Sequence, residues 1–372
     1  MSGSAIQPSV VVIGGGYGGI NVAKALDGHA AVTLVEPKDA FVHNIAALRS
    51  VVQPDFLPRM FLPYGRLLAR GTVVRDRAVM VDGRTVELAS GRRMEPDVIV
   101  LATGSSYPFP AKTDDVETAA AIRRYGAAHS NLGRAGTVML LGAGAVGLEF
   151  AGEIAAAWPG KEIVLVDQAE HILPGPYDQR LRDEINRQLA ALGIGQAMGS
   201  PLTALPGPAA GELSPFTVTT TAGTRIEADI WFRCYGIAPQ TSYLAGDLAA
   251  ARTADGYLRV DSDLRVPGFG NVYALGDIAA IDVNKAGVAG RQAAVVAGNI
   301  IHQLTGEGGP ARYTPSQPVI ILPLGPRGGS GQLPNGEIAS AEMISRIKGQ
   351  DMMIDRYAEI LNLADVPLTH AP

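Results

Sequence analysis

The sequence predicts an α/β protein made of two Rossmann-like, three-layer nucleotide-binding domains and a small C-terminal α+β part. Two runs of β-branched and aliphatic residues each end in a glycine-rich turn and continue as a helical pattern, at 10–26 and at 137–157. Each unit then has a second apolar strand that ends in an acid, Glu36 in the first unit and Asp167 in the second. Strands that alternate with helices in this way form a parallel sheet covered by helices, and here the arrangement occurs twice.

The composition indicates a well-packed globular enzyme. The chain has 372 residues, enough for two to three domains with cores of their own. Hydrophobic residues make up 47% and charged residues 18%, which excludes a disordered chain. The net charge of −5 argues against a nucleic-acid partner. The single cysteine, Cys234, excludes an intrachain disulfide and a Cys-x-x-Cys pair, and it suits a reducing cytoplasm.

We expect no segment that spans a membrane. The N-terminal Met1-Ser2-Gly3-Ser4 lacks the basic-then-apolar pattern of a signal peptide, and without glycine at position 2 it is no myristoylation site. The longest apolar stretch, 138–158, contains Glu149 and Glu153 and fits a nucleotide-binding unit. The sequence therefore predicts a cytoplasmic protein. Peripheral contact with the inner face of a membrane stays open, as does the choice between monomer and homodimer.

The elements of the two units follow the same order along the chain. The predicted elements are strands at 10–13, 31–36 and 97–101 with a helix at 20–26, and then strands at 137–141 and 162–167 with a helix at about 146–157. The β-branched composition and short length of the strands indicate that they are buried on both faces, as parallel strands are.

Segments rich in proline and glycine place the domain boundaries. Residues 107–110 leave the first unit, 201–215 predict a surface loop, 257–276 predict strands that lead to a third turn, and 313–315 open the C-terminal part. The predicted domains are a discontinuous first domain at 6–112 and 240–314, a second domain at 113–239 and a C-terminal domain at 315–372.

The first glycine turn has the pattern of a dinucleotide-binding motif. In Gly14-x-Gly16-x-x-Gly19, the first glycine allows the tight turn, the second lets a pyrophosphate approach the backbone, and the third lets helix and strand pack closely. The N-terminus of the following helix supplies free N–H groups and a favourable dipole for phosphates. Glu36, at the end of the next strand, is placed to bind ribose hydroxyls.

The second glycine turn, Gly142-x-Gly144-x-x-Gly147, repeats the pattern, and its acid carries more information. Asp167 would repel a 2′-phosphate, and no Arg or Lys follows within a dozen residues, which favours NADH over NADPH. His171 and Arg180 keep NADPH open as the alternative. Glu149, just inside the helix, is predicted to face the nicotinamide side of the site.

A third feature is the strand and turn at 271–277, which ends in Gly276-Asp277. The Asp277 carboxylate would accept a hydrogen bond from a ribityl hydroxyl. A Gly-Asp turn is common by itself. Together with Ala102-Thr103-Gly104 and two nucleotide turns, it forms a specific combination.

Over residues 8–305 the chain resembles the two-dinucleotide-binding flavoprotein oxidoreductases of the pyridine nucleotide-disulfide superfamily, whose fold is that of glutathione reductase. The resemblance implies FAD on the first turn, NAD(P)H on the second, and Asp277 on the flavin ribityl chain. Disulfide reductases of this superfamily carry a cysteine pair, which this chain lacks.

The segment Phe41–Arg49 resembles the apoptosis-inducing-factor-like branch instead, in particular the ferroptosis suppressor family of flavin-dependent NAD(P)H:quinone reductases. Similarity continues at 101–110, 234–237, 289–293 and 347–353. The last segment carries over to Lys348 a family lysine that lies near the flavin. Two departures are the missing N-terminal glycine and Met353, which stands where the family has an aromatic residue.

The expected site residues follow from the motifs and the resemblance together. The residues expected to bind FAD are Gly14, Gly16, Tyr17, Gly18, Gly19, Glu36, Lys38, His43, Asn44, Arg49, Ala102, Thr103, Gly104, Gly276, Asp277 and Ala289. For Arg49 the expected partner is either the FAD pyrophosphate or a carboxylate. The residues expected to bind NAD are Gly142, Gly144, Ala145, Val146, Gly147, Glu149, Asp167 and Gly236. The candidate catalytic residues are Lys348 and Glu149, and no metal site is expected.

The implied reaction passes a hydride from NADH to the flavin N5 atom and then two electrons to a small-molecule acceptor, a quinone. The cofactors carry the chemistry and the protein positions them, so no catalytic triad is needed. Two alternatives stay open. One is a reductase for a ferredoxin or rubredoxin partner. The other is a redox-sensing NAD-binding flavoprotein with slow turnover, like apoptosis-inducing factor.

Three hydrophobic features have simpler interpretations. Cys234 is expected to be inert packing at a strand end. Residues 319–322 predict a buried strand. Met343, Ile344 and Ile347 are spaced as one face of a helix that would pack on the flavin domain, and a helix that begins near Ala289 would point its N–H groups at the flavin.

Overall fold

The computed structural model describes residues 7–282, 286–315 and 317–368. Its strands, numbered along the chain, are β1 Ser9–Ile13, β2 Ala31–Val35, β3 Ala40–Val42, β4 Phe61–Pro63, β5 Thr72–Val74, β6 Ala78–Val81, β7 Val86–Leu88, β8 Arg93–Met94, β9 Val98–Leu101, β10 Ser105–Ser106, β11 Thr137–Leu141, β12 Glu162–Val166, β13 Gly195–Ala197, β14 Phe216–Thr219, β15 Arg225–Ala228, β16 Ile230–Arg233, β17 Ala238–Pro239, β18 Val272–Ala274, β19 Ile320–Leu324, β20 Gly328–Gln332 and β21 Ile338–Ala339.

The helices are α1 Tyr17–Leu26, α2 Ala47–Val52, α3 Thr118–Arg134, α4 Ala145–Ala157, α5 Gln179–Ala191, α6 Gly246–Ala250, α7 Ala286–Thr305, α8 Ala341–Ile344 and α9 Ile354–Ile360. A π-helical turn at Ser345–Gly349 follows α8 directly. The predicted fold class is confirmed, with parallel sheets in three-layer units and a small α+β part at the C-terminal end.

The first sheet has the order β18-β9-β1-β2-β5, with all neighbours parallel. Alternate residues of β1 enter different cores because successive side chains of a strand point to opposite faces. Val10 and Val12 pack with α1 and α7, whereas Val11 and Ile13 pack with β6 and β7. The three layers are therefore a helix pair, the parallel sheet and a small antiparallel sheet.

The second sheet repeats this plan with the order β13-β12-β11-β16, again parallel. Val138 and Leu140 of β11 pack on the helical side with α4 and α5, while Met139 and Leu141 pack against the β14–β15 hairpin. The strand–turn–helix pattern that occurs twice in the sequence thus corresponds to two separate sheets with the same arrangement of layers.

The chain crosses between the two sheets at two places that lie side by side. β10, which leaves the first sheet, pairs antiparallel with β17, which returns to it, through Ser105↔Pro239 and Ser106↔Ala238. β18 then joins the edge of the first sheet beside β9. The first sheet therefore contains strands from before β10 and one strand from after β17. The exact domain boundaries given above stay predictions.

The C-terminal part contacts both units. The β19–β20 hairpin packs on α4 and α5, and a Cβ at Gly152 of α4 would lie 2.4 Å from the Cα of Leu324. Tyr357 and Ala358 of α9 lie instead in the core of the first unit. The π-helical turn lies between α8, which packs on the hairpin, and α9. It therefore connects the segment on the second unit to the segment in the core of the first.

Two sequence expectations need correction here. Residues 257–276 contain only the short strand β18, because Gly256, Pro267, Gly268 and Gly270 interrupt the pattern and leave bridged turns. The face of α8 that contains Ile344 packs on the β19–β20 hairpin rather than on the flavin domain, since the Cδ1 atom of Ile344 lies 2.9 Å from the position that a Cβ on Gly331 would take. The buried strand expected at 319–322 is confirmed as β19.

Candidate functional site

A cavity of about 1360 Å³ lies where the two units and the C-terminal part meet. Its wall includes many of the predicted residues: Gly14, Gly16, Tyr17, Gly18, Glu36, Lys38, Asn44, Ala102, Thr103, Gly104, Ala145, Val146, Glu149, Gly236, Gly276, Asp277, Ala289 and Lys348. The structure thus brings the start of α4 and the C-terminal lysine to the same space as the first glycine turn. Predicted residues outside this wall are Gly19, His43, Arg49, Gly142, Gly144, Gly147 and Asp167.

The first glycine turn contains two glycines that the protein's own backbone requires. Gly14 has φ +102°, and a Cβ there would lie 2.5 Å from the Ala102 carbonyl oxygen. A Cβ on Gly19 would lie 1.8 Å from the Gly14 oxygen. A Cβ on Gly16 would meet nothing within 4 Å. Gly16 therefore borders open space in the cavity wall, at the N-cap of α1, where a phosphate group would be bound.

The second glycine turn has the same construction. A Cβ on Gly142 would lie 2.9 Å from the Cys234 oxygen, and one on Gly147 would lie 1.9 Å from the Gly142 oxygen. A Cβ on Gly144, the N-cap of α4, would meet nothing within 4 Å. Cys234 takes the place under this turn that Ala102 takes under the first, and burial raises the pKa of its thiol to about 12. The thiol is therefore protonated, and the side chain contributes to packing.

The acids after the two turns also correspond. Glu36 accepts hydrogen bonds from the backbone N–H groups of Gly15 at 2.7 Å and Lys38 at 3.0 Å. Asp167 accepts them from Ala143 at 2.6 Å and Ala169 at 2.9 Å. Each carboxylate is thereby fixed at the end of the second strand of its unit.

Arg180, one of the two residues that keep NADPH open, forms an ion pair with an acid close to it in the chain. The Arg180 guanidinium pairs with Asp178 at 2.7 Å, one residue before α5 begins. The partner of this positive charge in the structure is therefore Asp178, an acid of the same segment.

Asp277 belongs to a small polar cluster on the cavity wall. Its Oδ2 accepts hydrogen bonds from Ser105 Oγ at 2.5 Å and Lys112 Nζ at 3.1 Å. Lys112 Nζ also donates to Ser105 Oγ at 2.7 Å. Sequence reasoning missed Lys112, because it follows a proline-rich segment with no motif, and only its position beside Asp277 marks it. Its charge suits an anionic ligand such as a pyrophosphate.

Thr103 and its neighbours form hydrogen bonds where the chain crosses between the two units. Thr103 Oγ1 donates to the Gln240 carbonyl at 2.6 Å and lies 3.1 Å from the Tyr243 hydroxyl. Gly104 has φ +68° and Gly236 has φ +103°, so each strand end turns through a conformation that favours glycine. Lys38 also lies at this end of the cavity, where it donates to the Thr113 carbonyl and burial lowers the pKa of its ammonium group.

His43 lies behind the cavity wall, which corrects the expectation that its side chain binds the flavin. Its ring is fully buried, with Nε2 2.7 Å from the Met352 oxygen and Nδ1 3.3 Å from the Tyr17 hydroxyl. Burial lowers its pKa to about 4, so the ring is neutral. Nε2–H then donates to the carbonyl, Nδ1 accepts from Tyr17, and His43 supports the position of Tyr17. Burial in turn raises the pKa of Tyr17.

Arg49 contacts a carboxylate of the protein, one of the two partners expected for it. Its side chain is buried and forms two hydrogen bonds to Glu153 of α4, one of them from Nη2 to Oε1 at 2.8 Å. The same Nη2 donates to the Gly349 carbonyl at 3.0 Å. The guanidinium therefore binds a carboxylate and a backbone carbonyl of the protein.

Glu149 and Lys348 form an ion pair on the cavity wall, with Nζ 2.5 Å from Oε1. Each side chain is 13% exposed. Burial raises the pKa of Glu149, and the nearby Lys348 charge opposes that shift. Glu149 stands at the start of α4 and Lys348 on the π-helical turn, an irregularity that is frequent at functional sites. The two candidate catalytic residues are thus in direct contact.

The residues present fit a bound FAD. Gly16 leaves room beside a helix N-terminus, Lys112 supplies a positive charge, and the buried Oδ1 of Asn44 has no hydrogen-bond partner within the described ranges. An unpaired buried acceptor is costly unless a ligand donates to it. An N–H group of a flavin ring would satisfy Asn44.

Residues 7–282, 286–315 and 317–368 contain no group of three or more His, Cys, Asp and Glu side chains arranged to hold a metal ion. In that part of the chain, no helix combines the length and the apolar character needed to cross a bilayer.

Comparison with known sequences places this chain among redox proteins. Residues 8–298 match the family described as pyridine nucleotide-disulphide oxidoreductase. The chain is 31% identical to ferroptosis suppressor protein 1 of Taeniopygia guttata over 356 residues, which covers 93% of this chain and 94% of the relative. It is 27% identical to apoptosis-inducing factor homolog B of Dictyostelium discoideum, over 95% of this chain and 96% of the relative.

Solved structures show the same fold. A ferredoxin reductase for the CYP199A2 system of Rhodopseudomonas palustris superposes with a TM-score of 0.67 at 22% identity, covering 83% of this chain and 78% of that one. An NAD-dependent persulfide reductase from A. fulgidus gives a TM-score of 0.67 at 18% identity, over 84% of this chain and 61% of that one. At these identities the likeness concerns the fold.

Proposed function

The chain belongs to the pyridine nucleotide-disulphide oxidoreductase family, and on this premise we propose that it is an FAD-dependent NADH:quinone oxidoreductase. An apoptosis-inducing-factor-like, NAD(P)H-dependent flavoprotein oxidoreductase follows from the family and its relatives. The preference for NADH, the quinone acceptor and the roles of single residues are the proposed parts. The lone cysteine supports a cytoplasmic place for the reaction.

The binding roles follow from the contacts of each residue. The backbone at Gly16 and the N-terminus of α1 would hold the FAD pyrophosphate, with Glu36 on the adenosine ribose. Asp277 would accept from a ribityl hydroxyl, and Asn44 would accept from an N–H of the ring. Bound FAD supplies the chemistry, since it accepts a hydride from a nicotinamide at N5 and gives two electrons to an acceptor.

The second turn would hold the nicotinamide nucleotide. As at Gly16, a Cβ on Gly144 at the N-cap of α4 would meet nothing within 4 Å, and Gly144 itself lies outside the cavity wall. Asp167 is fixed at the end of β12 and would bind the adenosine 2′- and 3′-hydroxyls. A 2′-phosphate would bring its negative charge against this carboxylate, so NADH is the favoured donor.

The observation that carries the quinone proposal is the Glu149–Lys348 pair beside an apolar part of the cavity wall. Val319, Ile321 and Ile347 line the cavity on the C-terminal side, next to Lys348. A quinone ring is apolar except for its two carbonyl oxygens, and such a wall accommodates the ring while an ammonium group meets an oxygen. Negative charge develops on that oxygen as electrons arrive, and Lys348 would stabilise it and give up a proton.

The reaction balances with one further proton. NADH gives two electrons and one proton equivalent as hydride, and the quinone takes up two electrons and two protons to become the quinol. Lys348 delivers one proton and regains one from solvent, while Glu149 holds the ammonium group in place. With one cysteine in the chain, no dithiol relay stands between the flavin and the acceptor.

Steady-state NADH oxidation with a short-chain quinone tests this proposal. We expect Lys348→Met to lower kcat with the quinone by a factor of about 10², because a proton donor and a stabilising charge are lost together. Ferricyanide, which takes electrons without protons, should be reduced at nearly the original rate. Arg346→Met is the matched control, because Arg346 lies on the same turn with its side chain 67% exposed. Unchanged quinone reduction by Lys348→Met would remove Lys348 from the mechanism.

A further inference from the structure

A buried ion pair joins all three parts of the molecule close to the cavity. Arg49 belongs to α2 of the first unit and Glu153 to α4 of the second, and their side chains are 2% and 1% exposed. Nη2 of Arg49 also donates to the Gly349 carbonyl of the C-terminal part, at 3.0 Å. A single guanidinium therefore binds an acceptor on α4 and an acceptor on the π-helical turn.

Each of these acceptors is next to one member of the Glu149–Lys348 pair. Glu153 lies four residues after Glu149 on α4, so the two carboxylates emerge from the same face of the helix. Gly349 follows Lys348 directly in the π-helical turn. Lys348 and Glu149 thus contact each other directly. Arg49 forms a second connection between α4 and the π-helical turn, the two elements that carry them.

A contribution to folding stability does not explain why the protein contains this ion pair. Removing two charges from water costs about as much as their attraction returns, and apolar residues of similar volume serve as well or better. What arginine offers is geometry, since its planar fork fixes several acceptors in one plane where lysine provides a single flexible charge. The pair therefore contributes mainly to the relative position of α4 and the π-helical turn.

The contacts of the turn itself support this role. Ser345 Oγ donates to the Pro326 carbonyl at 2.8 Å, which ties the start of the turn to the β19–β20 hairpin. A Cβ at Gly349 would lie 2.8 Å from that same oxygen, so the end of the turn is packed closely as well. The bond from Arg49 ties this end to the first unit, and three residues later the Met352 carbonyl accepts a hydrogen bond from His43.

We propose that Arg49, held by Glu153, is a positioning residue that fixes the π-helical turn so that Lys348 stays against Glu149 at the cavity wall. The inference rests on the proposed function, in which Lys348 serves the electron acceptor. It adds that the first unit controls the position of a lysine that belongs to the C-terminal part.

The charges around Glu149 show how position can be separated from electrostatics. Burial raises the pKa of Glu149 and Lys348 lowers it, while the more distant Glu153 raises it and Arg49 lowers it. Because the last two act in opposite directions, removing both leaves the net charge near Glu149 unchanged. The double variant Arg49→Met/Glu153→Met therefore tests geometry. Arg49→Met by itself would leave a buried carboxylate without a cation and is expected to unfold the protein.

The test is the acetylation of Lys348 by acetic anhydride in the FAD-loaded protein, followed by mass spectrometry. Lys161, whose Nζ is bonded to the Ala135 carbonyl in the second unit, provides the internal reference. We expect the double variant to retain its FAD and melting temperature while Lys348 reacts roughly five times faster, as a locally released side chain does. Its kcat with a quinone should fall, and Arg49→Lys, which keeps the charge without the fork, should lie between.

The control is the exposed pair Arg66–Asp365, which also joins the first unit to the C-terminal part, with side chains 54% and 74% exposed. Arg66→Met should change neither Lys348 acetylation nor turnover. If Lys348 of the folded double variant and of Arg49→Lys reacts as in the wild type, the positioning role is wrong. If Lys348 is released but quinone reduction is unchanged, the positioning role stands and the proposed part of Lys348 in the reaction fails.

Discussion

Asp167 is the residue on which the proposed preference for NADH depends. Both of its oxygens accept backbone N–H groups, from Ala143 and Ala169, so the carboxylate has little freedom to move away from a ligand. A fixed charge discriminates more strongly than a mobile one, because the ligand cannot displace it at low cost. The nearest arginine after it, Arg180, is paired with Asp178.

We predict that Asp167→Ala with Gln168→Arg shifts the preference from NADH toward NADPH. Loss of the ribose hydrogen bonds should lower kcat/KM for NADH by about tenfold or more, since bonds to a charged group contribute about 1.5–3 kcal/mol. The added arginine should raise kcat/KM for NADPH. Initial rates with both nucleotides measure the ratio. A wild-type enzyme that already prefers NADPH would contradict the role given to Asp167.

His43 is one residue that is expected to make folding sensitive to acid. Its pKa is lowered from 6.5 to about 4 by burial, so the unfolded chain binds a proton between these values that the folded chain does not. Stability contributed by the neutral ring is complete above about pH 6.5 and is lost as the pH falls toward about 4.

For His43 we therefore predict a loss of about 2 kcal/mol in the free energy of unfolding between about pH 7.5 and pH 5. His43→Gln keeps a donor for the Met352 carbonyl but does not titrate, so its loss over the same interval should be smaller by that amount. Urea unfolding at both pH values gives the comparison. An equal pH dependence of the two proteins would mean that the His43 ring is not buried and neutral.

At the scale of elements, the two glycine turns separate what the fold requires from what a ligand requires. Gly14 and Gly19 are excluded from carrying a side chain by the protein's own backbone, and so are Gly142 and Gly147. Gly16 and Gly144, at the N-caps of α1 and α4, border empty space and have backbone angles that any residue adopts.

We predict that Gly16→Ala and Gly144→Ala both fold but fail differently. Gly16→Ala should be isolated with little flavin, because its methyl group occupies the approach of the pyrophosphate to α1. Gly144→Ala should keep its flavin, and its KM for NADH should rise by about tenfold. Circular dichroism, the ratio of absorbance at the flavin and protein bands, and initial rates distinguish them. Gly19→Ala, with its 1.8 Å contact, should not fold. Full flavin content in Gly16→Ala would contradict the assignment of this turn to FAD.

The elements that sequence reasoning placed best are those with strong local patterns. The strands β1, β2, β9, β11 and β12 and the two turns follow from β-branched runs and glycine spacing, which act over ten residues or fewer. The face of α8 was misplaced because helical spacing reveals that a face is buried but not against what. Here the adjacent hairpin, at Gly331, covers it.

Site residues show the same division. The glycines, Glu36 and Asp167 belong to a motif within one unit. Arg49 and Lys112 depend on partners about 100 or more residues away, Glu153 and Asp277, and no pattern along the chain reports such a distance. In the sequence, Arg49 could have had a phosphate or a carboxylate as its partner, and the structure identifies the carboxylate as that of Glu153.

At the scale of the whole molecule, the C-terminal part completes a cavity that the two nucleotide-binding units leave open. Its hairpin rests on α4 and α5, α9 enters the core of the first unit, and the turn between them carries Lys348 to Glu149. Under the proposed function the flavin and the acceptor would share this cavity, and the nicotinamide would reach it from the second turn, whose Gly144 and Asp167 lie outside the cavity wall. Electron transfer would then depend on the relative position of all three parts.

The most direct test of this account is anaerobic stopped-flow spectroscopy of the FAD-loaded protein. NADH should bleach the flavin absorbance, and mixing the reduced protein with a short-chain quinone should restore it at a rate no slower than kcat. Arg346→Met should behave as the wild type, and Lys348→Met should slow the second step. Reduced flavin that persists for minutes in the presence of the quinone would contradict the central claim and favour a redox sensor, and reoxidation that requires an iron–sulfur protein would favour a ferredoxin-type reductase.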